Sequence, residues 1–201
     1  MKSFAYRSTL AVLLLIAALP LYAGEGKANI SLVSDYIFRG VSVSNGKSVL
    51  QGGYEYDYGY SIVTGIWASR LPDGSEYDIY AHYSGELGRF GYSTGVTYYH
   101  HTGVAVAAVP AEFNLALSFA GFSIMSSASE VASYNEAAYK TKLSDIGIQL
   151  HYGSDGRDPD YSLRLLKSAG TVDVGLVYAT KIDSGTSIAN DVYSLFLSKD
   201  F

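Results

Sequence analysis

Residues 77–87, with the sequence YDIYAHYSGEL, decide the fold because their polarity alternates with a period of two. Ile79 belongs to the apolar set, and Asp78, His82 and Glu86 belong to the polar set. Successive side chains of a β-strand point to opposite faces, so this stretch predicts a strand with one apolar and one polar face. A helix would instead distribute these charges around its circumference.

The same alternation continues beyond Gly24 and predicts about 12 strands, with 10 or 14 as alternatives. The predicted strands are 29–39, 48–57, 60–69, 76–87, 90–101, 112–120, 122–129, 135–143, 145–152, 160–168, 171–181 and 191–201. We therefore predict an all-β protein that forms an up-and-down antiparallel barrel.

The connections between these strands alternate in length. Tight links are expected at Tyr58-Gly59, Gly88-Arg89, Gly121, Ser144 and Ala169-Gly170. Longer links are expected at Gly40–Lys47, Arg70–Ser75, Thr102–Ala111, Glu130–Tyr134, Gly153–Pro159 and Ile182–Asn190. In a meander, this alternation places every tight turn at one end, which is typical of outer-membrane barrels.

The tyrosines indicate which face of the barrel is outside. The chain has 19 Tyr, and most of those beyond residue 24 fall on the apolar parity. Tyrosine suits the bilayer interface, whereas a soluble core would need a partner for each buried hydroxyl. We therefore expect the apolar face, including Tyr36 and Phe38, to meet lipid. The predicted strand lengths also suit a tilted membrane strand of about 9–11 residues.

The first 23 residues have the layout of a cleaved secretory signal peptide. Lys2 and Arg7 precede ten apolar residues, 10–19, and Pro20 and Ala23 lie before the expected cleavage site. Residues 24–201 are expected to form a single barrel domain. The net charge of −5 argues against a nucleic-acid partner, and the absence of Cys excludes disulfides and cysteine-based zinc sites.

We predict no catalytic residue, no metal and no cofactor. His100 and His101 are adjacent and would face opposite sides of a strand, so they cannot ligate one ion together. The acidic segment 155–160 lacks the spacing of a calcium-binding EF-hand loop. An outer-membrane hydrolase is kept as an alternative, although no local nucleophile motif supports it.

The end of the chain resembles the signal that the outer-membrane barrel assembly machinery recognises. It is an amphipathic strand with a terminal aromatic residue, formed by Tyr193, Leu195, Leu197 and Phe201. The alternative is that Phe201 only completes a core strand.

The segment Leu32–Ser42 with Gln51-Gly52-Gly53 resembles the TorF family of porins. Further similarity lies at Trp67-Ala68-Ser69, Tyr77–Tyr80, Tyr83–Glu86, Gly95–Tyr99 and Leu197–Phe201. The family's Pro-Gly turn after Tyr99 is replaced by residues 100–103, HHTG. The resemblance implies an outer-membrane location and a porin architecture.

The function predicted from these features is passive passage of small hydrophilic solutes or ions through a narrow polar lumen. The expected pore-lining residues are Asp35, Arg39, Glu55, Asp57, Asp78, His82, Glu86, Lys140, Lys142, Gln149, His151, Arg164 and Asp173. Their excess of acids over bases predicts a mild preference for cations. Expected partners are outer-membrane lipid, lipopolysaccharide, the assembly machinery and the solutes. A non-conducting barrel for adhesion or surface structure is the alternative.

Overall fold

The computed structural model describes residues 24–103 and 111–201, and it places 14 β-strands in them. The strands are β1 (Glu25–Val33), β2 (Ile37–Phe38), β3 (Val41–Ser42), β4 (Val49–Asp57), β5 (Ile62–Leu71), β6 (Gly74–Leu87), β7 (Phe90–Thr102), β8 (Glu112–Phe119), β9 (Phe122–Ala128), β10 (Ser133–Leu143), β11 (Ile146–Ser154), β12 (Pro159–Ala169), β13 (Val172–Asp183) and β14 (Ile188–Asp200). The predicted signal peptide lies outside the described residues.

Twelve of these strands, β1 and β4–β14, form one closed antiparallel barrel. Each strand pairs with its neighbours in chain order, and β1 closes the ring by pairing with β14 from Asn29↔Asp200 to Val33↔Phe196. The predicted all-β, 12-stranded, up-and-down barrel is confirmed. The closed ring leaves no free barrel edge.

In the part of the chain that the structure describes, no helix is both long enough and apolar enough to cross a membrane.

The apolar face of the ribbon is outside. Ile66 and Ile79 are opposite each other on β5 and β6 and are both exposed, and Leu115 on β8 is 58% exposed. Side chains of the other parity, such as Glu76 and Asp160, are buried inside the ring. This distribution is the reverse of that in a soluble barrel, which buries its apolar face inward.

The first predicted strand, 29–39, is wrong in its second half. Strand β1 ends at Val33, and the segment 34–48, called the inner loop below, turns into the barrel and carries the two-stranded hairpin β2–β3. The alternation predicts a strand through Phe38, but side chains in this loop provide hydrogen bonds that compete with the sheet, as described below.

The predicted long connection at Arg70–Ser75 is also wrong. Leu71 pairs with Gly74, so Pro72 and Asp73 form a two-residue turn. The alternation of short and long links is therefore weaker than the sequence indicates. The connection between β7 and β8 includes residues 104–110, which lie outside the described residues.

Candidate functional site

The barrel encloses a cavity of about 740 Å³. Its lining includes Arg39 and Gly40 of the inner loop, and Asp173, Ser198 and Asp200 toward the end where the tight turns lie. Most of the cavity wall comes from β7–β14 and β1. The candidate functional site is this polar lumen and the inner loop within it.

The predicted pore-lining residues divide into two groups. Those that border the cavity are Asp35, Arg39, Gln149, His151, Arg164 and Asp173. The others lie on the inward parity of their strands without bordering it; they are Glu55, Asp57, Asp78, His82, Glu86, Lys140 and Lys142. The Glu55 carboxylate already has a hydrogen-bond partner in the barrel wall, because the Tyr80 hydroxyl donates to its Oε1 at 2.8 Å.

The base of the inner loop is fixed to β14. The Ser34 amide donates to the Leu195 carbonyl at 2.8 Å, and the Leu195 amide donates to Ser34 Oγ at 2.8 Å. The Ser194 hydroxyl donates to the Asp35 carbonyl at 2.6 Å and lies 3.2 Å from the Asp35 amide, from which it accepts. These contacts direct the chain away from the wall after Val33.

Asp35 organises the interior of this loop. Its Oδ1 accepts hydrogen bonds from Ser42 Oγ at 2.6 Å, from Ser44 Oγ at 2.8 Å and from the Gly46 amide at 3.3 Å. Asp35 is only 7% exposed, and the donors to its Oδ1 all come from the loop itself. It borders the cavity, but its main contacts hold the loop together.

Arg39 lies at the tip of the hairpin. Its Nη2 donates to Glu112 Oε1 at 2.7 Å, and its guanidinium lies 4.1 Å from the centre of the Tyr134 ring. The Tyr99 hydroxyl donates to the same Glu112 oxygen at 3.4 Å. The hairpin therefore reaches from β14 across the lumen to β7, β8 and β10.

Tyr36 and Phe38 do not face lipid, contrary to the prediction from parity. Tyr36 packs against Trp67 with 5.5 Å between ring centres, and Phe38 lies 6.4 Å from Tyr99. Both residues line the cavity, because the chain leaves the barrel wall after Val33, three residues before Tyr36. The aromatic side chains support the inner loop from within the barrel.

The expected pore-lining residues omit several acidic and aromatic groups that lie in the lumen near the inner loop. They are Glu76, Tyr99, Glu112, Tyr134, Glu136 and Asp160. Glu76 lies two residues before Asp78 and Glu136 lies four before Lys140, so parity alone could have identified both. Tyr134 fell in a predicted loop, and only the observed start of β10 at Ser133 places it on the wall.

Three of the side chains in the lumen form a buried hydrogen-bonded group. The Tyr134 hydroxyl donates to Asp160 Oδ2 at 2.8 Å and lies 3.0 Å from His151 Nε2, which is 3.1 Å from Asp160 Oδ1. Asp160 is 1% exposed, and these contacts satisfy its carboxylate. The group fixes the Tyr134 ring on which the Arg39 guanidinium rests.

The two adjacent histidines lie on opposite faces of β7. His101 lies 3.5 Å from Glu76 Oε1 inside the barrel, whereas His100 pairs with Tyr77 on the outer parity. No cluster of three or more His, Cys, Asp or Glu residues suited to a metal occurs within residues 24–103 and 111–201.

Arg164 provides a second guanidinium farther from the inner loop. It lies 4.2 Å from the centre of the Phe196 ring and borders the cavity. Gln149 is its neighbour on β11, and Lys140 is the neighbour of Gln149 on β10. The lumen is therefore acidic around Arg39. Toward the tight turns, the wall formed by β10–β12 carries more basic groups.

Solved structures are similar to this chain at low sequence identity. A structure from work on the in-meso crystallisation of membrane proteins is 10% identical, with coverage of 88% of this chain and 83% of that one and a TM-score of 0.60. A double variant of OccD1 (OprD) is 14% identical, with coverage of 89% and 65% and a TM-score of 0.43. OccK5 (OpdH) of Pseudomonas aeruginosa is 12% identical, with coverage of 85% and 62% and a TM-score of 0.43. No curated protein matches the chain.

The family is established by sequence. The model of the Gcw_chp family, described as bacterial proteins of unknown function, matches residues 23–162. The TorF name stays a prediction, because the matching family carries a different name. The match includes the first nine barrel strands and the inner loop, and the chain belongs to the Gcw_chp family.

Proposed function

We propose that this chain is an outer-membrane porin that gives small hydrophilic solutes or ions passive passage through a narrow polar lumen. The proposed role of the lumen is to bind solutes and let them pass, and it includes no catalysed reaction. The observation that carries it is the cavity of about 740 Å³ inside a closed barrel whose outer face is apolar.

The size and extent of the cavity support passage. Its volume is within the range of about 300–1,000 Å³ that small-molecule sites occupy. Its lining continues from Arg39 at the inner loop to Asp200, which pairs with Asn29 near the other end of the barrel. A solute that entered beside the inner loop would therefore meet polar groups along most of the barrel length.

The outer surface suits a bilayer. The exposed side chains on the outer parity include Leu50, Ile66, Leu115 and Leu195, and aromatic residues such as Tyr193 accompany them. In lipid every backbone amide and carbonyl must be paired, and a closed barrel achieves this. We infer export through the predicted signal peptide, insertion by the outer-membrane assembly machinery, and contact with lipid and lipopolysaccharide.

The inner loop sets an upper limit on solute size. It is fixed at Ser194 on one side and at Glu112 on the other, so it divides the lumen near the end where the longer loops lie. Around it are the carboxylates of Glu76, Glu112 and Glu136. We expect a small conductance with a preference for cations, because charged lumen rings bias ion entry.

Liposome swelling tests this function. Proteoliposomes containing the refolded chain should swell in small amino acids and pentoses and should not swell in trisaccharides, since the inner loop narrows the lumen. Protein-free liposomes and liposomes with heat-denatured protein are the controls. A lack of swelling with every solute, from protein shown to be folded by its heat-modifiable gel mobility, would contradict passage.

The anchored inner loop also favours a second function, that of a barrel that does not conduct and serves adhesion or surface structure. In that case the Arg39–Glu112 ion pair would close the lumen permanently. Shortening the inner loop separates the two functions: a porin shows passage in the unaltered chain, whereas a closed barrel shows it only after the loop is shortened.

A further inference from the structure

The tip of the inner loop inserts a guanidinium into an enclosure of acidic and aromatic side chains, called the mouth cage below. The mouth cage consists of Phe38, Tyr99, Glu112, Tyr134, Glu136 and Asp160, all of which line the central cavity. Arg39 Nη2 lies 2.7 Å from Glu112 Oε1, and the guanidinium lies 4.1 Å and 4.8 Å from the ring centres of Tyr134 and Phe38. A carboxylate combined with ring faces is a recognised arrangement for binding organic cations.

Arg39 and Gly40 form the two-residue turn between β2 and β3, in which Phe38 pairs with Val41. Arg39 has a φ of 48°, in the left-handed region that non-glycine residues seldom adopt. A two-residue hairpin turn of this kind requires a positive φ at both positions, and Gly40 has a φ of +76°. A glycine at position 39 would adopt this φ without cost, so the turn itself does not require an arginine.

The mouth cage contains more carboxyl groups than Arg39 pairs with. Arg39 pairs with Glu112, while Glu136 and Asp160 border the same space. The hairpin tip is close to Asp160, because a Cβ added to Gly40 would lie 2.6 Å from the Asp160 Cβ. Tyr134 and His151 contact the Asp160 carboxylate and hold it in place. Apart from Phe38, the enclosure is therefore built and positioned by the wall rather than by the inner loop.

We propose that the mouth cage is a recognition site for organic cations that carry a guanidinium or a primary ammonium group, and that Arg39 occupies it as a tethered stand-in for such a solute. The proposal rests on the proposed function in that these solutes would enter the lumen at this end. A tethered group acts at an effective concentration in the millimolar range, so a free cation displaces Arg39 only at comparable concentrations.

The variant Arg39→Gly tests the site by chemical rescue. It removes the guanidinium and relieves the backbone strain, so the vacated mouth cage should bind ethylguanidinium. We expect 10–50 mM ethylguanidinium to raise the thermal-unfolding midpoint of Arg39→Gly saturably by several degrees, while ethylurea, which has nearly the same shape but no charge, leaves it unchanged. The midpoint is read from heat-modifiable gel mobility and circular dichroism.

Two further variants serve as controls. Arg70→Ala removes an exposed arginine on β5, and its midpoint should not respond to ethylguanidinium. The double variant Arg39→Gly/Glu112→Gln removes the paired carboxylate, and it should need at least tenfold more ethylguanidinium for the same shift. The proposal is overturned if ethylguanidinium and ethylurea act equally on Arg39→Gly, or if the double variant responds as strongly as the single one.

A measurement on the unaltered chain keeps the proposal testable even if Arg39→Gly does not fold. Ethylguanidinium at 50–200 mM should compete with Arg39 and increase amide hydrogen exchange at Val43 and Gly46, which form hydrogen bonds within the inner loop. Ethylurea at the same concentrations should not. Equal exchange in the two solutes would overturn the proposal.

Conductance distinguishes a failure of this proposal from a failure of the proposed function. If the barrel conducts but ethylguanidinium neither rescues Arg39→Gly nor alters exchange, the porin function stands and the cation site is wrong. If ethylguanidinium binds but no variant conducts, the cation site stands and passage is wrong.

Discussion

At the residue scale, two charged residues of the inner loop have different structural roles. These residues are Asp35 and Arg39. Asp35 accepts three hydrogen bonds from residues 42–46 and so folds the inner loop. Arg39 pairs with Glu112, 73 residues away in sequence, and so holds the loop against the opposite wall. Both were predicted to line a pore, and their position depends on the chain leaving the wall at Val33.

Gly40 allows the hairpin tip to approach the wall. Its φ is +76°, and an added Cβ would lie 2.6 Å from the Asp160 Cβ and 3.1 Å from the Lys181 Cβ. Gly59 has the same φ of +76° with nothing within 4 Å, so it is a matched control. We expect Gly59→Ala to cost about 1 kcal/mol of unfolding free energy through backbone strain alone, and Gly40→Ala to cost about 1–3 kcal/mol more through overpacking. Urea unfolding measures both, and equal losses would contradict the close approach.

The Asp155 carboxyl group should make the stability of the loop between β11 and β12 sensitive to acid. Hydrogen bonds from the Asp158 and Arg157 amides, together with Lys181 at 3.0 Å, lower the pKa of Asp155 to about 2. Since this pKa is below the unfolded value of about 3.9, the stabilisation is present above about pH 4 and is lost as the pH falls through about 2.

The variant Asp155→Asn should therefore be less stable than the unaltered chain at neutral pH and equally stable below about pH 2. Unfolding midpoints between pH 1.5 and 7, together with NMR titration of the Asp155 carboxyl, measure this. A stability difference that does not depend on pH would show that the carboxylate charge is not the cause.

At the element scale, the inner loop contains a hairpin, β2–β3, that is not part of the barrel sheet. The Val43 amide donates to the Tyr36 carbonyl at 2.7 Å, so these two residues are already adjacent in space. Residues 37–42 can therefore be replaced by two glycines without moving the base of the loop. The chain has one Trp, Trp67, and Tyr36 packs against it, so its fluorescence reports on the loop.

We expect this shortened chain to remain a folded barrel and to have a larger conductance than the unaltered chain. Acrylamide should quench Trp67 more strongly in the shortened chain, because the Tyr36 ring that packs against Trp67 loses the support of the hairpin. Shortening the loop at residues 129–132, which connects β9 and β10, is the control. Unchanged conductance and quenching would mean that the inner loop does not restrict the lumen.

Strand β14 carries the predicted assembly signal at Tyr193, Leu195, Leu197 and Phe201. The backbone of Phe201 pairs with Ala28, with N–O distances of 2.8 Å and 3.2 Å, whereas its side chain is 68% exposed. Phe201→Ser should therefore leave refolding in detergent unchanged and reduce the amount of heat-modifiable barrel in cells severalfold. If the same loss occurs in detergent refolding, the role of Phe201 is structural.

The strands were predictable because the period-two pattern depends only on adjacent residues. The bounds of β4, β7 and β9 agree with the prediction to within about two residues. The inner loop was not predictable, since Asp35–Ser194 and Arg39–Glu112 join residues 159 and 73 positions apart. The mouth cage was missed for the same reason: parity indicates that Glu136 faces inward, but not which side chain it faces.

At the scale of the whole molecule, the barrel combines an apolar exterior with a polar, partly filled interior. On one side the lumen contains Trp67, Tyr36 and Tyr80, and on the other it holds the cavity of about 740 Å³. A barrel of 12 strands is narrower than the 16–18-stranded porins that leave a wide channel. The molecule should therefore select solutes by size and charge rather than admit them freely.

Single-channel recording in planar bilayers tests the central claim, that this lumen conducts, most directly. The refolded chain should give small discrete conductance steps, and a KCl gradient should give a reversal potential of cation-selective sign, because the acidic residues around the inner loop outnumber the bases there. Steps should be larger with residues 37–42 replaced by two glycines. If neither chain shows steps at any applied voltage, although both are inserted and folded, the lumen does not conduct and the porin account is wrong.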